Sequence, residues 1–132
     1  MKHSALTGEI ISAFYKVYNT LGFGFLEKVY ESALLLELRK RGLRAENRQA
    51  LIVFYEGTPV GKYYADIIVE DKVVLELKTT ENIDEAHLAQ LTNYLRATDC
   101  EVGLVLNFGP KPQHRRRIFD NPLKGRSPER SV

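Results

Sequence analysis

The chain is poor in the features that stabilise secreted and membrane proteins. Its 132 residues include a single cysteine, Cys100, so no disulfide can form within the chain. No apolar run approaches the ~20 residues that are needed to span a bilayer. Glu9 interrupts the first apolar segment, so the N-terminus lacks the pattern of a signal peptide. These absences predict a cytoplasmic protein with no membrane association.

Signatures of several other protein classes are missing as well. No internal repeat suggests a solenoid. Gly22-Phe-Gly24 lacks a preceding strand and the rest of either nucleotide-binding glycine pattern. No order of serine, histidine and aspartate is persuasive as a catalytic triad, and His3 and His114 have no partners at metal-ligand spacing. The remaining candidates for chemistry are therefore carboxylates, amines and a few polar side chains.

Charge is distributed unevenly along the chain. Residues 111–132 hold seven of the 19 basic and two of the 17 acidic residues, a balance of +5, whereas residues 1–110 carry −3. We expect one domain over residues 1–121 and a flexible basic tail over residues 122–132. The basic stretch is interpreted either as an edge that attracts phosphate or as a solvated tail.

Apolar periodicity and stop signals outline three helices and five strands. Helices are predicted over residues 6–21, 26–41 and 84–97, and strands over residues 48–55, 60–69, 72–78, 101–106 and 115–119. This order predicts an α/β (α+β) fold with a mixed central β-sheet flanked by helices. On the second helix Glu31 is expected to face solvent, and the residues expected inside are Val29, Tyr30, Ala33, Leu34 and Leu38.

The most informative pattern is an acidic hairpin. If the turn over residues 70–72 is symmetric about Asp71, Asp66 on one strand lies directly opposite Glu76 on the next. Like charges that face each other destabilise a sheet, and burying them is costly unless a cation compensates. Glu76 and Lys78 share one face of their strand. Oxygen ligands of this kind favour Mg²⁺ or Mn²⁺, whereas the alternative is an exposed hairpin with ordinary surface charges.

Asp66, Glu76 and Lys78 resemble the signature of the PD-(D/E)XK nuclease superfamily, in which an Asp is followed by Glu-x-Lys on the next strand. The proline-like position before the Asp is Ala65 here. A second pattern, Gly24-Phe-Leu-Glu27-Lys-Val-Tyr30, resembles the motif of the small GxxExxY proteins within that superfamily. The resemblance covers about residues 6–119. It implies a restriction-endonuclease-like core, with the backbone carbonyl of Leu77 as a third metal ligand.

The resemblance also implies roles for the side chains around the carboxylates. Lys78 is expected to activate the attacking water and to offset transition-state charge, or else to be a structural partner of Glu76 or Glu27. Glu27 is expected to bind the metal or position its water, although an acid in the first turn also suits the helix dipole. Tyr30 is interpreted either as a hydrogen-bonding residue of the site or as a core aromatic.

Two further groups are candidates for contact with nucleic acid. Gln90 and Tyr94 are four residues apart on the third helix and resemble the Gln-x-x-x-Tyr of RecB-like nucleases. Gln90 would support the site and Tyr94 would contact DNA, unless the spacing arises by chance. Contacts to the phosphate backbone are expected from a basic segment, unless it is only a charged edge strand; its residues are Lys111, Arg115, Arg116 and Arg117.

Together these patterns predict a metal-dependent nuclease-fold protein that hydrolyses phosphodiester bonds of DNA, or of RNA. The alternative is a catalytically weak or inactive module of the same fold that binds nucleic acid or a protein partner. Its small size favours that alternative, because 132 residues leave little surface for recognition without a homodimer or a partner. A third, weaker interpretation is a hydrolase of small phosphate compounds.

Overall fold

The computed structural model describes residues 2–120, and the predicted tail over residues 122–132 lies outside this part of the chain. Three helices and five strands follow each other in the predicted order. No helix within residues 2–120 is long and apolar enough to cross a membrane. The elements are α1 (Ser4–Leu21), α2 (Glu27–Lys40), β1 (Ala45–Tyr55), β2 (Thr58–Val69), β3 (Val73–Lys78), α3 (Glu85–Ala97), β4 (Val102–Phe108) and β5 (Pro112–Ile118).

The strands form one mixed sheet in the order β1-β2-β3-β4-β5. β3 and β4 pair in parallel, as expected for strands joined by a helix, and the other neighbours pair antiparallel. α1 and α2 pack on one face of the sheet and α3 packs on the other, so each face has its own apolar cluster. The predicted α+β fold with a mixed central sheet flanked by helices is confirmed.

β3 is buried on both faces because each cluster takes alternate residues from it. Leu75 and Leu77 pack toward α1 and α2, whereas Val74 packs toward α3. Side chains alternate along a strand, so Glu76 and Lys78 follow Val74 on the α3 face. A charged residue within a doubly covered strand is unusual, which makes Glu76 the first place to look for function.

The β1–β2 hairpin changes faces where it passes Asp66. Ile67 packs with α1 and α2, but Ala65, two residues earlier, packs with α3. Residues two apart on a regular strand share a face, so the alternation is broken between them. Arg48 stands opposite Asp66 and has a positive φ of 55°, and the ladder has no pair at this position. The backbone distortion therefore lies at the predicted site residue.

Two expectations for α2 are wrong. Val29 is exposed, whereas Glu31 is buried. The buried face of α2 is centred on Tyr30 and Leu34, and Glu31 lies at its border next to β1. Glu31 can be buried there because its carboxylate accepts hydrogen bonds from Lys28 and from Asn47 of β1. Periodicity could not anticipate these polar partners.

The loop that follows β3 is fixed to the sheet by a buried amide. Asn107 of β4 is fully buried; its side chain accepts a hydrogen bond from the Thr80 N–H and donates one to the Thr80 carbonyl, both at 2.9 Å. Gln113 of β5 accepts from the same amide and from the Ile83 N–H. The Thr80 carbonyl passes so close to Gly109 that a Cβ there would lie 1.9 Å from it. The segment after Lys78 is thus held between two strands.

This close approach predicts that Gly109→Ala is strongly destabilising, because the new methyl group meets a backbone atom that cannot rotate away. We expect a loss of about 1–3 kcal/mol of unfolding free energy, measured by urea denaturation. Gly8→Ala is the matched control, since a Cβ at Gly8 of α1 meets nothing within 4 Å. That change should stabilise the protein by about 0.5–1 kcal/mol through helix propensity. Equal stability of the two variants would contradict the packing argument.

Candidate active site

The candidate site is built on the end of β3. Glu76 is 5% exposed, and Lys78, two residues later on the same face, is partly exposed. The Lys78 Nζ lies 3.9 Å from Glu76 Oε1, the outer limit of an ion pair. The other carboxylate oxygen, Oε2, is buried and has no hydrogen-bond partner within residues 2–120. A buried carboxylate with an unused oxygen is expensive unless a ligand satisfies it.

Asp66 meets Glu76 where β2 and β3 part. The ladder between these strands has pairs at Ile67 with Leu75 and at two positions closer to the turn, and the same register places Asp66 opposite Glu76. Pairing stops one position before the two acids would face each other in the ladder. The Asp66 carboxylate then accepts a hydrogen bond from the Leu77 N–H at 2.7 Å. The hydrogen bond from the Leu77 N–H to the Asp66 carboxylate therefore links β2 and β3 where their backbone pairing has ended.

Burial raises the pKa of Glu76 to about 8, and the neighbouring Asp66 charge contributes to this rise. The Lys78 ammonium and the Tyr94 hydroxyl oppose it, without restoring the ordinary value. Near neutral pH the Glu76 carboxyl is therefore mostly protonated, and a cation bound beside it would lower its pKa. Perturbed carboxyls of this kind cluster at functional sites.

Glu27 approaches Asp66 from the start of α2. It is the first residue of that helix and is solvent-exposed. Partial desolvation raises the pKa of Glu27, the Asp66 charge raises it further, and Lys78 opposes the rise. These influences show that Glu27 lies within electrostatic reach of Asp66 and Lys78. The site therefore combines residues from β2, β3 and the start of α2.

Tyr30 supports the loop that carries Glu27. Its hydroxyl donates to the Gly22 carbonyl and accepts from the Phe25 N–H, which joins the two sides of the α1–α2 loop. The ring is fully buried and stacks on Phe108 with centroids 4.5 Å apart. Of the two interpretations, the core aromatic describes this residue, and its hydroxyl bonds lie in the loop.

The loop geometry explains the spacing of the Gly24-x-x-Glu27-x-x-Tyr30 pattern. Gly24 has a φ of +120°, a conformation that residues with a Cβ rarely adopt. Glu27 follows at the start of α2, and Tyr30 comes back beneath the loop three residues later, on nearly the same side of the helix. Gly24 and Tyr30 of the pattern therefore shape and hold the loop that leads to Glu27.

Gln90 and Tyr94 are joined, as their spacing predicts. The Gln90 amide donates to the Tyr94 hydroxyl at 3.1 Å. Tyr94 is 4% exposed; burial raises the pKa of its phenol, and the charges of Glu76 and Asp66 raise it further. This environment places the hydroxyl beside the carboxylates and leaves little of the ring for a contact with nucleic acid. Gln90 is exposed at the edge of the site.

The basic segment does not form one patch. Arg115 is exposed and pairs with Val105, so it stands on the α3 side of the sheet. Arg116 stands on the other side, where its guanidinium donates to the Lys2 carbonyl. Arg117 returns to the α3 side, and Lys111 lies exposed before β5. Strand alternation splits the arginines, and their contact with phosphate stays a prediction.

Other residues that surround the site gave little signal in the sequence. Tyr64, two residues before Asp66, has the Arg48 guanidinium 5.5 Å and the Lys62 amine 5.4 Å from its ring centroid. These two cations are distant in sequence and meet only through strand pairing. Asn107 stands beside Lys78 in the β3–β4 ladder. Alternation along the predicted strands could not have found these residues, because it is broken at Asp66 and because the amide of Asn107 bonds to a loop.

The Asp66 and Glu76 carboxylates suit a hard cation that takes only a few of its ligands from the protein. Within residues 2–120, side chains of His, Cys, Asp and Glu form no group of three or more that could hold a metal ion. Asp66 and Glu76 remain as a pair of carboxylates, and the unused Oε2 of Glu76 supplies a free oxygen. Mg²⁺ is commonly bound by one or two carboxylates, with water and phosphate completing its shell.

A mixed five-stranded sheet flanked by three helices, with Asp and Glu-x-Lys on adjacent strands, defines a restriction-endonuclease-like domain. The family model of the PD-(D/E)XK nuclease superfamily matches residues 4–118. The chain therefore belongs to the PD-(D/E)XK nuclease superfamily, whose nucleases generally use divalent metals. Membership of the narrower GxxExxY family stays a prediction.

A solved structure supports the same fold. The crystal structure of SSO0001 matches with a TM-score of 0.53 and 19% sequence identity, over 90% of this chain and 60% of that one. At this identity the likeness shows the fold alone, and this chain spans about 60% of the length of SSO0001. No curated protein matches the chain significantly.

The raised pKa of Glu76 predicts that Glu76→Gln is more stable than the wild type in metal-free buffer at alkaline pH. In the unfolded chain Glu76 ionises near its usual 4.5, whereas in the folded protein it holds its proton up to about 8. Stability from this group is therefore full below pH 4.5 and lost as pH rises toward 8. Glutamine avoids that loss, which is worth roughly 2–4 kcal/mol.

Urea denaturation with a chelator present, at about pH 5 and about pH 8, measures this difference. The advantage of Glu76→Gln should grow between the two pH values. Glu81→Gln in the exposed loop after β3 is the control and should show no such growth. An advantage independent of pH would show that Glu76 is ionised in the folded protein.

Tyr30→Phe should loosen the α1–α2 loop while keeping the aromatic core. The change leaves the Gly22 carbonyl and the Phe25 N–H without their partner, at a cost of about 1–3 kcal/mol. Limited chymotrypsin digestion should cut after Phe23 or Phe25 faster than in the wild type. Tyr55→Phe, at the exposed end of β1, is the control. Unchanged stability and unchanged loop cleavage would contradict the role of the hydroxyl.

Proposed function

We propose that this protein is a divalent-metal-dependent nuclease that hydrolyses phosphodiester bonds, with DNA as the first expectation and RNA as the alternative polymer. The single observation that carries the proposal is the buried Glu76. Its Oε2 has no hydrogen-bond partner within residues 2–120, and burial together with the Asp66 charge raises its pKa. A cation between these carboxylates would give the buried Oε2 a partner and would offset the repulsion between Glu76 and Asp66. Membership of the nuclease superfamily supports the same chemistry.

Asp66 and Glu76 would hold Mg²⁺ or Mn²⁺, with the Leu77 carbonyl as a further ligand and Glu27 as a ligand or as a water-positioning group. The bound cation would polarise the scissile phosphate and acidify a water molecule. Lys78, close to Glu76 and partly open to solvent, would orient that water and balance charge on the transition state. Gln90 would keep the Tyr94 hydroxyl directed at the carboxylates.

The rival is a binding module of the same fold that uses a protein partner or a second copy. One structural observation favours it: no third Asp, Glu, His or Cys joins the two carboxylates within residues 2–120. The buried, unpartnered oxygen argues for a working metal site, because an inactive module has no need to keep such a costly group. Activity measurements separate the two.

The decisive experiment is cleavage of labelled DNA and RNA, single- and double-stranded, with Mn²⁺, Mg²⁺ or chelator. We expect metal-dependent cleavage that falls at least about 100-fold in Glu76→Gln and in Lys78→Met, because each removes a group acting on the transition state. Lys72→Met is the matched control, since Lys72 lies exposed in the β2–β3 turn. Calorimetry should show Mn²⁺ binding that is lost in Asp66→Asn.

Two results would overturn the proposal. A folded wild-type protein that binds no Mn²⁺ would exclude the metal site and favour the binding module. Cleavage that survives Glu76→Gln would show that the reaction does not depend on Glu76. Urea denaturation of Glu76→Gln under the conditions of the cleavage assay separates a loss of activity from unfolding.

A further inference from the structure

The α1–α2 loop exposes large apolar side chains next to the candidate site. Phe23 is 58% exposed and Leu26 is 78% exposed, and Phe25 and Val29 are also exposed. Leu26 directly precedes Glu27, which lies within electrostatic reach of Asp66. Single exposed apolar residues need no explanation, but a group of them beside a reactive site is typical of a binding surface.

This loop is held in place before any partner binds. The Tyr30 hydroxyl bridges the Gly22 carbonyl and the Phe25 N–H, and the Phe25 ring contacts the Tyr30 ring edge-on at 6.1 Å. Tyr30 is in turn stacked on Phe108 in the core. A rigid apolar surface loses little conformational entropy on binding, so its contacts contribute more to affinity.

A second exposed aromatic lies on the other site element. Tyr64 is 49% exposed, and the Arg48 and Lys62 side chains approach its ring. It is two residues from Asp66, or about 7 Å along a strand. Ala65 faces α3, so its neighbour Tyr64 faces the opposite side of the sheet, where α1 and α2 pack. Both aromatic groups are therefore on the face of Glu27, whereas Glu76 and Lys78 lie on the α3 face at the end of β3.

From this arrangement we propose that the substrate is a single-stranded or locally unpaired nucleic acid. Its bases stack on two platforms. One is the α1–α2 loop with Phe23, Phe25 and Leu26; the other is Tyr64, from whose ring the Arg48 and Lys62 side chains turn to the neighbouring phosphates as a base takes their place. The inference rests on the proposed nuclease function and adds the class of substrate.

The physical reason is the combination of ring faces with positive charge. Bases expose their faces only when they are unstacked, and each base stacked on an aromatic side chain contributes about 1–3 kcal/mol. Arg48 and Lys62 can neutralise the phosphates that flank a base on Tyr64. A second copy of the chain would be attracted to the apolar loop, but two cations beside Tyr64 match a polyanion better than a surface that carries the same cations.

The test is fluorescence anisotropy in Ca²⁺ or chelator, with labelled oligodeoxythymidine of about 12 nucleotides and a duplex of the same length. The wild type should bind the single strand more tightly than the duplex. Phe23→Ala and Tyr64→Ala should each weaken single-strand binding by about 5- to 150-fold and change duplex binding by less than about 2-fold. Tyr64→Phe keeps the ring and should bind like the wild type.

Matched controls are Tyr55→Ala and Leu36→Ala, which remove exposed apolar side chains at the far end of the β1–β2 hairpin and on the outer face of α2. Both should bind the single strand within about 2-fold of the wild type. Equal affinity for single strand and duplex would overturn the inference. Dissociation of a dimer by Phe23→Ala, seen by sedimentation, would also overturn it, because the loop would then belong to a second copy.

Failure of this inference differs from failure of the proposed function. Metal-dependent cleavage of duplex at a rate that Phe23→Ala and Tyr64→Ala do not change would support the nuclease function and contradict the stacking platforms. Selective single-strand binding that depends on both platforms, without cleavage of any polymer, would support the stacking platforms and contradict the nuclease function. Binding is measured without the cleavage reaction, so the two results are independent.

Discussion

The cost of placing Asp66 and Glu76 together with little access to water governs the architecture around them. Neighbouring strands would normally stay paired, yet β2 and β3 stop pairing one position before the two acids would face each other. Asp66 instead accepts the Leu77 N–H, and Arg48 opposite it takes a left-handed conformation. A fold optimised for stability alone would replace Glu76, and under the proposed function the position is kept because a cation binds there.

Much of this arrangement could be predicted because it depends on local rules. The turn over residues 70–72, the alternation of Glu76 and Lys78 with leucines, and the helix over Gln90 and Tyr94 follow from strand and helix periods. The antiparallel and parallel pairings followed from connection lengths. Even the meeting of Asp66 with Glu76 needed only a symmetric turn.

What could not be predicted depends on partners that are distant in sequence. Glu31 is buried because Asn47 and Lys28 satisfy it, and no pattern within α2 reveals those partners. The arginines of β5 look like one basic run, but pairing with β4 directs them to both sides of the sheet. Tyr30 was identified through its motif, whereas its actual bonds to the α1–α2 loop depend on a chain reversal that composition does not specify.

The change of faces at Asp66 has a consequence for comparing such proteins by sequence. On either side of this residue the hydrophobic alternation is regular, but the two halves are out of phase with each other. Against a relative whose strand lacks this change, an alignment scored mainly on apolar matches gains by inserting a gap at this position. The gap shifts the acidic residue out of its column, so such a relative would be misaligned at Asp66. Alignments guided by structure, in which Arg48 and Asp66 are kept opposite each other, avoid this loss.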